Sequence, residues 1–225
     1  MRLNSFLTAI AAVAFLMTSL TFAQEKSGEV KTLDDQQCQS ECNGSCPVST
    51  AMAKLPKMNY QVNGEAVCCS KMAEKAKSDG AKVDYIVGKE TFDNHDKAFV
   101  SLVKQTETFV NDFVTPSTCS KSGMTTVAGE SCNCPVEAGK KAELVKNAVA
   151  KVSMTYAVGE ETCNCPNQAA AMAKKSGAKK EYVVAGEKTC CEMTARLNLA
   201  KAKYKAAVET LVASKAPASK ANSGS

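Results

Sequence analysis

What most limits the fold of this chain is that it repeats itself. Met58-Asn59-Tyr60-Gln61-Val62 is matched by Met154-Thr155-Tyr156-Ala157-Val158, and Gly80-Ala81-Lys82-Val83-Asp84-Tyr85-Ile86-Val87 by Gly177-Ala178-Lys179-Lys180-Glu181-Tyr182-Val183-Val184. The segments between these matches agree in length to within one residue. Matches of this kind mark copies of one supersecondary unit that bury their apolar faces against each other. They predict two tandem halves, residues 36–116 and 117–213, joined at Thr115-Pro116-Ser117.

A shorter period runs inside each half. Cys134, Cys165 and Cys191 each follow a Tyr/Thr-x-Val-(x)-Gly-Glu segment, and each is followed four residues later by Ala138, Ala169 or Ala195. In the first half the same place holds Cys46, Cys69 and Asn94; Ala73 and Ala98 follow the last two, and Thr50 stands where the first copy departs. Each of the six units reads as a short β-branched or aromatic strand, a Gly-containing turn able to close a small hairpin, and an Ala- and Lys-rich helix. The predicted class is α+β: a tandem duplication of a small module of β-turn-α units, with short antiparallel sheets covered by helices. The last helix of each half carries the clearest apolar stripe. Phe99, Leu102, Val103, Phe109, Val110 and Phe113 recur at helical spacing in one, and Met193, Leu197, Ala200, Tyr204, Val208 and Leu211 in the other. A stripe of that width is expected to cover its own sheet.

The ends read differently. Met1-Arg2 followed by the apolar run from Phe6 to Phe22 and by Ala23 reads as a signal peptide over residues 1–23. Cleavage would leave a mature chain from about Gln24, in the periplasm or secreted, with a linker over 24–35. No later stretch approaches the ~20 apolar residues of a membrane span. Beyond Ala213 the Ser/Ala/Lys/Pro/Gly composition over 214–225 predicts a disordered tail. The formal charge of +5 is spread among glutamates and aromatic residues make up 5% of the chain, so a nucleic-acid partner is not expected. The partners left are a metal ion or a protein of the cell envelope.

All twelve cysteines lie after residue 23, and an even count in an exported chain ordinarily signals disulfides. Their placement allows other chemistry. Pro47, Pro135 and Pro166 directly follow Cys46, Cys134 and Cys165, and proline favours the first helical position, so these cysteines read as helix N-caps. Asn94, a favoured cap, occupies the equivalent place. A sulfur there faces free backbone N–H groups and the positive end of the helix dipole, which stabilises its thiolate. Cys132 and Cys134, like Cys163 and Cys165, are two apart, which in an extended chain points both thiols to one face. Cys68–Cys69 and Cys190–Cys191 are neighbours. A trans peptide holds adjacent Cα atoms about 3.8 Å apart, below the roughly 4.4–6.8 Å of ordinary disulfides, so each sulfur of these pairs suits a different partner or a shared metal. Cys38, Cys42 and Cys46, at four-residue spacing around Gly44 and Pro47, match no usual zinc or ferredoxin pattern.

Tyr60-Gln61-Val62-Asn63-Gly64-Glu65-Ala66-Val67-Cys68-Cys69 and Tyr182-Val183-Val184-Ala185-Gly186-Glu187-Lys188-Thr189-Cys190-Cys191 resemble the hairpin-then-helix pattern of YHS/TRASH-type metal-binding modules. The resemblance covers about ten residues per unit and implies handling of copper or similar ions. The family's further cysteine, three beyond the pair, is Met72 in one copy and Thr194 in the other. A thioether at Met72 suits Cu(I).

Candidate metal ligands are therefore Cys68, Cys69, Met72, Cys132, Cys134, Cys163, Cys165, Cys190 and Cys191, for copper(I) or zinc. If metal binds at the Cys-x-Cys pairs, the pairs Cys132/Cys134 and Cys163/Cys165 are expected to face one another. Beside this stands the reading of a disulfide-stapled structural or interaction module of the envelope. Thiol-disulfide exchange is a third, since no Cys-x-x-Cys is present but Cys-x-Cys can exchange. No enzyme active site is read. His95, the single histidine, has Glu192 at its counterpart and is expected in an exposed turn, and Glu130, Glu160, Glu161 and Glu187 are expected in turns facing water.

Overall fold

The computed structural model describes residues 46–215. The stretches read as signal peptide (1–23) and linker (24–35), Cys38 and Cys42, and residues 216–225 of the expected 214–225 tail lie outside the described residues, whereas Ser214 and Lys215 belong to the last helix and not to a disordered tail. The repeated sequence unit folds as a β-hairpin followed by a helix. The first described helix, α1 (Pro47–Met52), is followed by the hairpin of β1 (Met58–Val62) and β2 (Glu65–Val67) with α2 (Ser70–Ser78), then by β3 (Val83–Val87) and β4 (Glu90–Phe92) with α3 (His95–Val114). After the short β5 (Ser117–Thr118) come β6 (Thr125–Val127) and β7 (Glu130–Cys132) with α4 (Pro135–Ala150), β8 (Met154–Val158) and β9 (Glu161–Cys163) with α5 (Pro166–Ser176), and β10 (Lys180–Val184) and β11 (Glu187–Thr189) with α6 (Glu192–Lys215). The α+β class is as expected.

The hairpins share one register. Tyr60, Tyr85, Thr125, Tyr156 and Tyr182 pair with Val67, Phe92, Cys132, Cys163 and Thr189, and two residues on Val62, Val87, Val127, Val158 and Val184 pair with Glu65, Glu90, Glu130, Glu161 and Glu187. A two-residue turn remains each time. Asn63-Gly64, Ala128-Gly129 and Ala185-Gly186 place both residues at positive φ, the type I′ pattern that matches strand twist, while Gly88 and Gly159 supply a positive φ at the first position only, as type II′ requires.

Two four-stranded antiparallel sheets result, β2-β1-β3-β4 and β11-β10-β8-β9, with a three-stranded sheet β5-β6-β7 between them in sequence. The central pairing has the same register in both larger sheets, Tyr60 opposite Tyr85 and Tyr156 opposite Tyr182. The tyrosine rings pack against each other, with centroids 5.9 Å and 5.6 Å apart.

The alanine four residues beyond each cap position is the contact between helix and hairpin. Ala73, Ala98, Ala138, Ala169 and Ala195 are all buried, and each donates its backbone N–H to the carbonyl of Cys69, Asn94, Cys134, Cys165 or Cys191. A methyl group lets the first helical turn lie directly on the hairpin; a larger side chain would push it away.

α6 packs on β10 and β11 of its own sheet and reaches well beyond it. Its residues enter four apolar clusters: Leu197 joins the core under β3 and α3, Ala195 that under β8 and β10, Ala207 and Leu211 that of α4 and β6, and Ala200, Tyr204 and Val208 that of α1 and α3. The face that runs from Leu197 through Ala200, Tyr204, Ala207 and Val208 to Leu211 is buried along its whole length, which makes this the central helix. Its alanines let several neighbours approach, which is why α3, α4 and α1 all pack on it. Arg196 adds a two-pronged contact from α6 to α3, donating from Nε to Glu107 Oε1 at 2.9 Å and from Nη2 to Oε2 at 2.6 Å.

Candidate functional site: thiols at the hairpin–helix seams

Each seam is built the same way. The second hairpin strand ends, one residue intervenes, and the next residue stands at the helix start in extended conformation, with φ −151° at Cys69, −131° at Asn94, −95° at Cys134 and −108° at Cys165. The predicted cap positions are therefore met. Their chemistry differs: Asn94 Oδ1 accepts from the N–H groups of Asp96 at 2.8 Å and Lys97 at 3.1 Å, whereas the side chains of Cys46, Cys69, Cys134 and Cys165 make no capping hydrogen bond. A cysteine at this place gives up cap energy that Ser or Asn would supply.

Cys191, which precedes α6, engages its helix start. The Thr194 hydroxyl first, then the backbone N–H groups of Thr194 and Met193, hold its thiol below the ordinary thiol pKa. Cys119, absent from the sequence-derived candidates, is held low in the same manner by Ser122 first and by the Lys121 backbone, in a turn where Gly123 N–H bonds its carbonyl at 2.8 Å. The Ser-Lys-Ser run after Cys119 was the available signal, since hydroxyls and backbone N–H groups in a tight turn can converge on a preceding sulfur.

The members of each Cys-x-Cys pair are set apart by burial. Cys163 pairs with Tyr156 on the core side of its hairpin and is 9% exposed, whereas Cys165 is exposed; Cys132 is half-buried and Cys134 exposed. The strand ends at Cys132 or Cys163 and the chain turns into the helix, so strand alternation no longer governs the second sulfur. Cys163 Sγ lies 3.6 Å from the Cys165 carbonyl oxygen. The two pairs close hairpins of different sheets. Among the described residues no group of three or more His, Cys, Asp or Glu side chains comes together, so the two pairs do not form a shared cluster.

At the first seam two candidate ligands do meet. Cys68 Sγ and Met72 Sδ stand 3.5 Å apart, both exposed, next to Cys69 at the cap. Cys68, Cys69, Cys119, Cys132, Cys134, Cys163, Cys165, Cys190 and Cys191 all carry free thiols. Cys190 and Cys191 are exposed in the place equivalent to Cys68 and Cys69, with Thr194 where a further sulfur would be needed.

Two other expectations are corrected. His95 is the first residue of α3 rather than part of a turn, about half exposed, stacked on Phe99 at 6.1 Å and edge-on to Tyr85 at 5.4 Å. Glu130 does not simply face water: Lys141 lies 2.5 Å away and Lys215 also pairs with it, and these hydrogen bonds hold its carboxyl below the ordinary range. Those lysines sit on α4 and α6, out of reach of a local reading.

Fold and sulfur positions together define a descriptive class, an α+β protein of hairpin–helix units that displays thiols where strands hand over to helices. Compared with known proteins, the chain matches no family model, no curated protein and no solved structure. No helix among the described residues is long and apolar enough to cross a membrane.

Proposed function

We propose that this is an exported, cysteine-rich repeat protein that binds a thiophilic metal ion, Cu(I) in the first instance, through sulfurs at its hairpin–helix seams. The observation that carries the reading is the 3.5 Å approach of Cys68 Sγ to Met72 Sδ beside Cys69. Two thiols and a thioether are soft donors, suited to Cu(I) in a low-coordinate site, whereas structural zinc takes four ligands. The YHS/TRASH-like segment ends on Cys68 and Cys69, with Met72 where that family has a further cysteine, and points to the same chemistry. The equal strand order and register of the two larger sheets support a tandem duplication, in which Cys165 is the counterpart of Cys69 and Cys191 that of Asn94, so the second copy carries its paired sulfurs at a different seam.

The disulfide-stapled envelope module stands as the second reading, favoured by the even number of cysteines in a chain that begins like an exported one. The two separate on titration of the reduced protein with Cu(I) against a competing chelator. Metal binding gives stoichiometric uptake, and a Cys68→Ser/Met72→Leu variant loses about one equivalent. The staple reading gives no uptake and a melting temperature that falls on reduction.

A further inference from the structure

Away from the seams, a cavity of about 360 Å³ opens between α1, α3, the β6–β7 turn and the C-terminal half of α6. We propose that it binds a single-chain aliphatic carboxylate, with the hydrocarbon inside and the head group at the Lys54 rim.

The volume falls at the small end of cavities that hold organic ligands. The wall is aromatic and aliphatic: Phe109, Phe113 and Tyr204 with Val208, Leu211 and Val212. Its shape is fixed by edge-on ring packing, with Tyr204 centred 5.3 Å from Phe109 and 4.7 Å from Phe113. Tyr204 brings the one polar side-chain atom of that wall. The Tyr204 hydroxyl already donates to the Ala51 carbonyl at 3.3 Å, and among the described residues no buried side-chain nitrogen or oxygen lacks a hydrogen bond. Against these six side chains the matching part of a ligand is apolar, since a polar group there would lose its water without a side-chain replacement.

The rim sets the head group. Glu130, the one acid among the lining residues, is held by Lys141 and Lys215, so its charge is answered within the protein. Lys54 has no ion pair among the described residues and is exposed at the mouth. The uncompensated charge at the opening is thus positive, and an anionic group on an apolar chain is its complement. The chain's own C-terminal sequence beyond Lys215, Ala-Pro-Ala-Ser-Lys-Ala-Asn-Ser-Gly-Ser, holds no aromatic or branched aliphatic residue suited to such walls.

The test is calorimetric titration of the metal-free protein with decanoate, decanol and decyltrimethylammonium. One decanoate per chain is expected, with decanol and the cationic amphiphile each about tenfold weaker or more. Lys54→Glu should weaken decanoate roughly fivefold to tenfold, as reversal of one partly screened charge does. Val212→Trp, which fills the half-buried wall, should abolish uptake while circular dichroism stays unchanged. Absence of saturable binding overturns the proposal. So does binding that ignores both the head group and Lys54→Glu, or uptake that survives Val212→Trp. Because no seam cysteine lines the cavity, the same titration on Cys68→Ser/Met72→Leu is expected to be unaltered whatever the fate of the metal reading.

Discussion

At the residue scale, the seams exchange stability for sulfur. Cys134 and Cys165 precede Pro135 and Pro166 at helix starts where no side chain satisfies the first backbone N–H groups. Serine would supply that bond, so Cys134→Ser and Cys165→Ser are each expected to raise stability by about 0.5–1 kcal/mol, and Asn94→Ala, which removes an existing cap, to lower it by about 1 kcal/mol. Urea unfolding of the three variants under reducing conditions checks this; a loss of stability in both serine variants would mean that the sulfurs are packed or ligated in the fold rather than idle at the cap. Cys191 differs because Thr194 and the α6 backbone already donate to it. Its thiolate is favoured, so iodoacetamide alkylation should show an apparent pKa below that of an ordinary thiol. Thr194→Val should move the profile back up, and a profile indifferent to Thr194 would contradict the assigned contact. Cap positions were legible from Cys-Pro and from Asn94. The burial of Cys163 was not, since it depends on where the strand stops.

The hairpin–helix unit is the element that the sequence announced most clearly. The buried alanine four residues past each cap explains why that residue recurs: the helix must rest on the hairpin within its first turn. Ala169→Leu is accordingly expected to cost about 1–3 kcal/mol by overpacking, visible as a lowered denaturation midpoint with an unchanged slope. A neutral outcome would mean the helix can shift freely on its hairpin. The turns were readable as Gly-containing pairs, but their division between two types was not, because it depends on whether the glycine comes first or second and on the strain that Ala128 and Ala185 accept at positive φ. The pairing of β1 with β3 and of β8 with β10 needed partners about 25 residues away, which no local pattern specifies.

On the scale of the whole molecule, α6 joins what the repeat alone would leave separate. Its alanines looked neutral in the sequence, and the larger residues suggested one stripe; the structure buries Leu197 in the first half's core and Leu211 against α4. Leu197→Ala is therefore expected to cost about 2–5 kcal/mol and to speed hydrogen exchange at both β3 and β10 amides together, whereas acceleration confined to one sheet would mean that the halves unfold independently. This frame holds the seam of Cys68, Cys69 and Met72 at the surface, where a soft ion can reach it. The most direct measurement of that assignment is copper K-edge X-ray absorption on the purified protein loaded with one equivalent of Cu(I). The account predicts a first shell of two or three sulfurs that loses one in Met72→Leu; a shell of nitrogen or oxygen, or copper removed by simple desalting, would contradict it.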